Sequence, residues 1–105
     1  MHVTIVRVDN VVGVDGYFLS IDCSILPSNF HALQWDGPED GVGGLGEVEW
    51  DGNPKPPNEQ IIDLGGYYVY VEAWREEKQR LDDLAEAARQ RSLLAQAAGP
   101  TVVAE

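Results

Sequence analysis

From Val3 to Trp50 apolar and polar positions alternate in short runs, and turn-forming pairs stop most of them. Alternation of period two marks a strand with one buried face, because successive side chains point to opposite sides of a sheet. Val3 to Val8, rich in β-branched residues, predicts a first strand, which Asp9-Asn10 turns into a hairpin with Val11 to Val14. Asp15-Gly16 is a strong turn signal. Tyr17 to Cys23 follows, with Tyr17, Leu19, Ile21 and Cys23 on one side and Phe18, Ser20 and Asp22 on the other. Ile25 to Asn29 reads as a short helical turn or loop. The clearest pattern occurs twice, as Leu33-Gln34-Trp35-Asp36-Gly37 and Val48-Glu49-Trp50-Asp51-Gly52, with the tryptophans 15 positions apart. That spacing predicts two antiparallel strands, His31 to Trp35 and Glu47 to Trp50, joined by a flexible glycine-rich loop.

Residues 51–58 hold three prolines, which remove ladder donors and predict an extended connection. Ile61, Ile62 and Leu64 are expected to pack back on the sheet before Gly65-Gly66 redirects the chain. The period then becomes helical from Tyr67 to about Gln96, with apolar or small residues at Val71, Trp74, Leu81, Ala85 and Ala88. Lys78 interrupts this stripe, Glu76 and Arg80 form an i,i+4 pair, and Gly99-Pro100 is expected to end the helix. The pattern as a whole predicts an α+β chain: a small antiparallel sheet of about four or five strands over residues 1–66, a helical arm over 67–96, and a disordered tail over 97–105.

The charge is unevenly spread. Residues 1–66 carry 11 acids against Arg7 and Lys55, a balance of −9, whereas residues 67–105 carry 7 acids against 5 bases, a balance of −2. So acidic a surface opposes direct binding to nucleic acid or an anionic membrane, and favours solubility or a basic partner. No apolar run approaches the roughly 20 residues of a membrane span. The single cysteine forbids an internal disulfide, and the first residues lack the pattern of a signal peptide. A cytosolic protein is expected.

Candidate catalytic chemistry is thin. Gly41-Val42-Gly43-Gly44-Leu45-Gly46 spells a dinucleotide fingerprint, but acids precede it and a predicted strand, rather than a helix N-terminus, follows. Asp36, Glu39, Asp40, Glu47, Glu49 and Asp51 crowd together without the ligand spacing of a calcium loop, so a solvated acidic loop is expected and no metal or other cofactor. His2 and His31 are too few for a metal cluster. Cys23, on the buried side of its strand, reads as a small core residue. Packing as cross-strand neighbours is sufficient reason for Trp35 and Trp50, with sugar or peptide stacking as the alternative. The chain is expected not to be an enzyme.

The better functional signal is the start of the helix, where Tyr67, Tyr68, Tyr70 and Trp74 place more aromatics than one helix face needs. Aromatic clusters commonly anchor interfaces. Together with Leu81 and Leu84 on the thin amphipathic arm, they form the expected partner-binding surface, and self-association through the helix stays open.

His31-Ala32-Leu33-Gln34-Trp35-Asp36-Gly37 also carries a resemblance. With Val14-Asp15-Gly16, Leu19-Ser20-Ile21-Asp22, the acidic Gly-Glu-Val-Glu-Trp return at 46–50 and Glu72-Ala73-Trp74 before an alanine-rich helix, the chain resembles small bacteriophage and prophage proteins from tail gene regions. These are described as tail-fibre assembly or tail-assembly chaperone-like proteins. The likeness covers roughly residues 3–90; Tyr67 to Tyr70 and the Gly41–Gly46 loop depart from it. The resemblance implies a non-enzymatic accessory protein that binds a tail or tail-fibre component in the host cytoplasm during assembly, or in the virion. An acidic DNA mimic directed at a basic nucleic-acid-binding partner is the alternative.

Overall fold

The computed structural model describes the backbone of residues 1–103 and side chains through residue 97. Six strands form one antiparallel sheet: β1 (His2–Val6), β2 (Val11–Val14), β3 (Tyr17–Ser20), β4 (Phe30–Asp36), β5 (Leu45–Trp50) and β6 (Glu59–Ile61). A short 3₁₀ turn at Gly65–Tyr67 leads into one helix, α1 (Tyr68–Val103). The α+β architecture is as the alternation predicted, with one strand beyond the four or five expected. The extra strand is β6, whose Gln60 and Ile61 pair with Glu47 and Gly46. Three residues beside a proline-rich connection are too few to show a period.

The strand order is β3-β2-β1-β4-β5-β6. β1 to β3 form a meander, and β4 returns to lie beside β1, which is a Greek-key arrangement. The Asp15-Gly16 turn has φ of 51° and 83°, the left-handed pair that a two-residue hairpin requires. β1 ends at Val6, two residues earlier than the alternation suggests, because Asn10 at φ 50° closes a turn onto the Arg7 carbonyl. Nor does β3 reach Cys23. It stops at Ser20, and residues 21–29 bend back instead. Cys23 is nevertheless fully buried, its backbone N–H donating to Asn10 Oδ1 at 2.9 Å.

The paired registers put Val14 and Val12, Val3 and Ile5, Trp35 and Leu33, and Gly46 and Val48 on one face. That face carries the core, completed by Cys23, Leu26, Phe30, Leu64, Tyr70 and Val71. Val3, Ile5, Leu33, Trp35, Val48 and Val71 have no exposed surface. Burying a side chain of this size contributes about 1.5–3 kcal/mol. Trp35 and Trp50 are not cross-strand partners: Trp35 faces Gly46, and Trp50 faces Phe30. The 15-residue spacing fixed neighbouring strands but not their register, which a bulge between Phe30 and Ala32 also shifts.

The Trp35 indole occupies a slot made by glycines. A Cβ on Gly37, Gly44 or Gly46 would lie 2.4 to 2.8 Å from atoms of Trp35. The indole N–H donates to the Ile62 carbonyl at 2.7 Å, and the Gly44 N–H reaches the same oxygen at 3.0 Å. The glycine-rich loop is therefore pinned rather than flexible. Gly43 N–H also donates to Asp63 Oδ1, and Leu64 N–H to the Gly41 carbonyl. Of the residues expected to pack back, Leu64 is buried and Ile61 half-buried, while Ile62 stays largely exposed because its carbonyl, not its side chain, faces the indole.

Two compact units divide within α1, Met1–Arg75 and Glu76–Glu105. Taken alone, the second is a helix held by local pairs: Glu77 with Arg80, Lys78 with Asp82 and Glu86 with Arg89, each at 2.7 Å. Such pairs are worth about 0.2–0.5 kcal/mol each and support a helix with little apolar packing. The helix runs past Gly99-Pro100 to Val103. The expected tail at 97–105 lies partly outside the described residues. No helix among the described residues is long and apolar enough to cross a membrane.

Candidate functional site

Residues 21–26 and the first turns of α1 enclose an apolar groove. Its volume is about 480 Å³, and it is lined by Ile21, Asp22, Ile25, Leu26, Gly66, Tyr67, Val69, Tyr70 and Ala73. The local folding explains the groove. Asp22 accepts the Ser24 N–H at 2.9 Å, and Leu26 N–H donates to the Cys23 carbonyl, so the segment turns twice and inserts Cys23 and Leu26 into the core. The same turns leave Ile25 pointing outward, 92% exposed, with Val69 53% exposed on the helix side. An isolated exposed isoleucine is ordinary. Ile25 and Val69 are two exposed aliphatic residues brought to one concavity.

Only Asp22 among the lining residues is charged. Hydrogen bonds from Ser24, through its side chain first and its backbone second, hold the Asp22 carboxyl below the usual range and keep it ionised. Tyr67 and Tyr70 are both pushed up, first by burial, then by Glu59 for Tyr67 and by Cys23 and Asp22 for Tyr70. Burial first, and Asp22 second, likewise push the Cys23 thiol up. It is a neutral core group.

The aromatics at the start of the helix serve different places. Tyr67 packs on Phe30, with ring centroids 5.7 Å apart, and Tyr70 is 8% exposed; both line the groove. Tyr68 donates its hydroxyl proton to the Glu39 carbonyl at 3.0 Å, accepts from Arg75, and has that guanidinium 5.6 Å above its ring. Trp74 donates its indole N–H to the Tyr17 carbonyl at 2.9 Å and meets the Tyr17 ring edge-on. Leu81 is half-buried and Leu84 is 52% exposed on the Glu76–Glu105 unit. Four of the six expected interface residues therefore belong to the Met1–Arg75 unit, and two of those four reach the groove. Ile21, Ile25 and Leu26 did not stand out in the sequence, because their aliphatic character is equally that of a core segment.

The crowded acids are placed differently from the expected loop. Asp36 ends β4, Glu47 and Glu49 lie on β5, and only Glu39 and Asp40 occupy the connection between those strands. Most of them already have partners. Asp36 binds His2 at 2.8 Å, Glu49 binds Lys55 at 3.1 Å, Asp51 faces His31 at 3.3 Å, and Glu47 accepts from Gln60 and Asn58. No group of three or more His, Cys, Asp or Glu side chains among the described residues is placed to hold a metal ion.

His2 also makes a geometry that resembles a catalytic triad. Its Nδ1 meets Asp36, and its Nε2 lies 3.3 Å from the Thr4 hydroxyl. However, Thr4 donates its proton to Gln34 Oε1 at 3.0 Å. A general base must receive the proton of its nucleophile, and the buried Thr4 hydroxyl already has the Gln34 carboxamide oxygen as an acceptor. The arrangement ties β1 to β4 across the open sheet face.

No protein-family model, curated protein or solved structure matches the chain. The class it defines is structural: a six-stranded Greek-key sheet with one face covered by the return segment and the first turns of a long helix.

Proposed function

We propose that this chain is a non-enzymatic accessory protein of bacteriophage or prophage tail assembly, which binds a tail or tail-fibre polypeptide through the groove at the start of α1. The observation that carries a binding role is the groove itself, an apolar concavity with Ile25 almost wholly in solvent. Covering the exposed Ile25 and Val69 side chains with a partner would be favourable in proportion to the apolar surface removed from water. The tail assignment rests on the resemblance carried by Gln34-Trp35-Asp36-Gly37 and its neighbours. A site in the host cytoplasm during assembly follows from that reading. The mimic alternative has less support, since the acids of β4 and β5 are already engaged by His2, Lys55, Gln60 and Asn58, whereas a phosphate-like array needs free charges.

The test is affinity capture with the tagged full chain from induced host cells, followed by mass spectrometry, alongside Ile25→Asp. Tail or tail-fibre polypeptides recovered by the wild type and lost with the variant would support the reading. Equal recovery by both proteins would move the interface away from the groove. Recovery of nucleases or DNA-binding proteins alone would favour mimicry.

A further inference from the structure

The groove's surroundings are more informative than its walls. Asp22 sits in the lining itself, exposed and ionised. Glu59 lies outside the lining, on β6, where its Oε1 accepts from Trp50 Nε1 at 3.3 Å and its charge helps burial push the Tyr67 hydroxyl up. Glu72 is exposed one turn beyond Val69, an i,i+3 neighbour on the helix flank. Against these acids the nearby cation is Arg7. Its Nε donates to the Leu26 carbonyl at 3.0 Å, and its charge opposes, without cancelling, the rise of the Cys23 pKa. Among the described residues no lysine or arginine lines the groove.

We propose that the groove selects a polypeptide segment that is both apolar and basic: two or more bulky aliphatic or aromatic side chains to fill it, with lysine or arginine beside them to meet Asp22, Glu59 and Glu72. The inference rests on the groove being a docking site and is independent of the tail assignment. The apolar contact supplies affinity, because Ile25, Val69 and the faces of Tyr67 and Tyr70 lose their water there. The acids supply discrimination. They speed the approach of a cationic segment and repel an anionic one, and although one exposed ion pair adds little affinity, several acting together separate a basic segment from a neutral one. A purely apolar segment would gain only the first part, and a purely basic one only the second.

Three fluorescein-labelled peptides of equal length test this. All carry the same leucines, with arginine, serine or glutamate at the intervening positions, and binding to the full chain is read by anisotropy at low and high salt. The arginine peptide is expected to bind at least about tenfold more tightly than the serine peptide at low salt, with the gap narrowing at high salt, and the glutamate peptide not to bind. Ile25→Asp is the decisive variant, because it makes the groove more acidic and less apolar. It is expected to lose the arginine peptide; unchanged binding would mean general attraction to an acidic protein and would overturn the proposal. Val69→Asp, at the helix start where an acid is tolerated, serves as a second blocking variant, and circular dichroism checks that both are folded. The combined Asp22→Asn, Glu59→Gln and Glu72→Gln variant is expected to bind the arginine and serine peptides about equally. Equal binding of those two peptides by the wild type, or no binding of any, would also overturn the inference. Failure to capture a tail protein from cells would leave the peptide result standing, so the two readings fail separately.

Discussion

Gly46→Ala sets two effects of opposite sign against each other. Gly46 does not have a positive φ, so the backbone itself admits alanine, and reduced freedom of the unfolded chain alone would stabilise by about 0.4–1 kcal/mol. The space does not admit it. A Cβ there would sit 2.4 Å from the Gln34 carbonyl oxygen and 2.8 Å from both Cα and Cβ of Trp35. These are backbone atoms and the root of a fully buried indole, so β4 and β5 must separate where their pairing is central to the sheet. Overpacking of this kind costs about 1–3 kcal/mol, and the contact with backbone places this case at the upper end. The net expectation is a loss of about 2 kcal/mol once the entropic gain is subtracted. The assay is urea unfolding followed by tryptophan fluorescence, with Gly66→Ala as the internal control. Gly66 has no positive φ, and a Cβ added there would meet nothing within 4 Å, so the same change is expected to be neutral or stabilising by up to about 1 kcal/mol. If Gly46→Ala proved as stable as wild type, or the two substitutions shifted stability alike, the glycine slot around Trp35 would not be the constraint described.

Further expectations concern the indole, the two pH limits and the groove. Trp35→Phe should cost about 2–3 kcal/mol in the same urea assay, about 1 kcal/mol for the lost hydrogen bond and the remainder for the void; the Ile62 carbonyl keeps its bond from Gly44, which prevents a larger loss. Cys23, Tyr67 and Tyr70 all have raised pKa values, so the folded state holds their protons longer than the unfolded one. Their contribution is complete below the unfolded values near 9 and 10 and is lost as pH rises through the folded ones, so the urea midpoint should fall in that alkaline window and stay flat from neutral pH up to it. Glu77, lowered by its hydrogen bond to Arg80, and Glu86, lowered by Gln90 and then Arg89, act in the opposite direction. Their support of the helix is present above the ordinary value of 4.5 and lost as pH falls through the lowered one, so ellipticity at 222 nm should decline below that point and decline less in Glu77→Gln with Glu86→Gln, where the Lys78–Asp82 pair is left to lose. Ile25→Asp should change stability by less than about 0.5 kcal/mol, since the side chain is 92% exposed; a large loss would show that Ile25 is a core residue and not a groove residue.

The architecture of this protein is written in its local sequence pattern. Period-two alternation named β1, β2, β4 and β5, because a strand that must bury one face leaves that mark wherever it is long enough. Asp15-Gly16 fixed its hairpin through the positive φ that those residues tolerate, and the change of period at Tyr67 located the helix. Relations between segments distant in the chain, by contrast, were settled only when the chain packed on itself. Register is one: Trp35 opposes Gly46 rather than Trp50, with Gly37 and Gly44 leaving room for the indole and Gly46 for the Cα and Cβ that carry it, while the bulge at Phe30 sets the partner of Trp50. Strand β6 is another, since three residues have no period of their own and become a strand by pairing with β5. The groove is the third. The aromatics Tyr67 and Tyr70 were legible as candidates, but whether an aliphatic residue is buried or exposed is set by what folds over it. Leu26 and Ile25 are adjacent and chemically alike; one turn of backbone places the first in the core and the second in solvent.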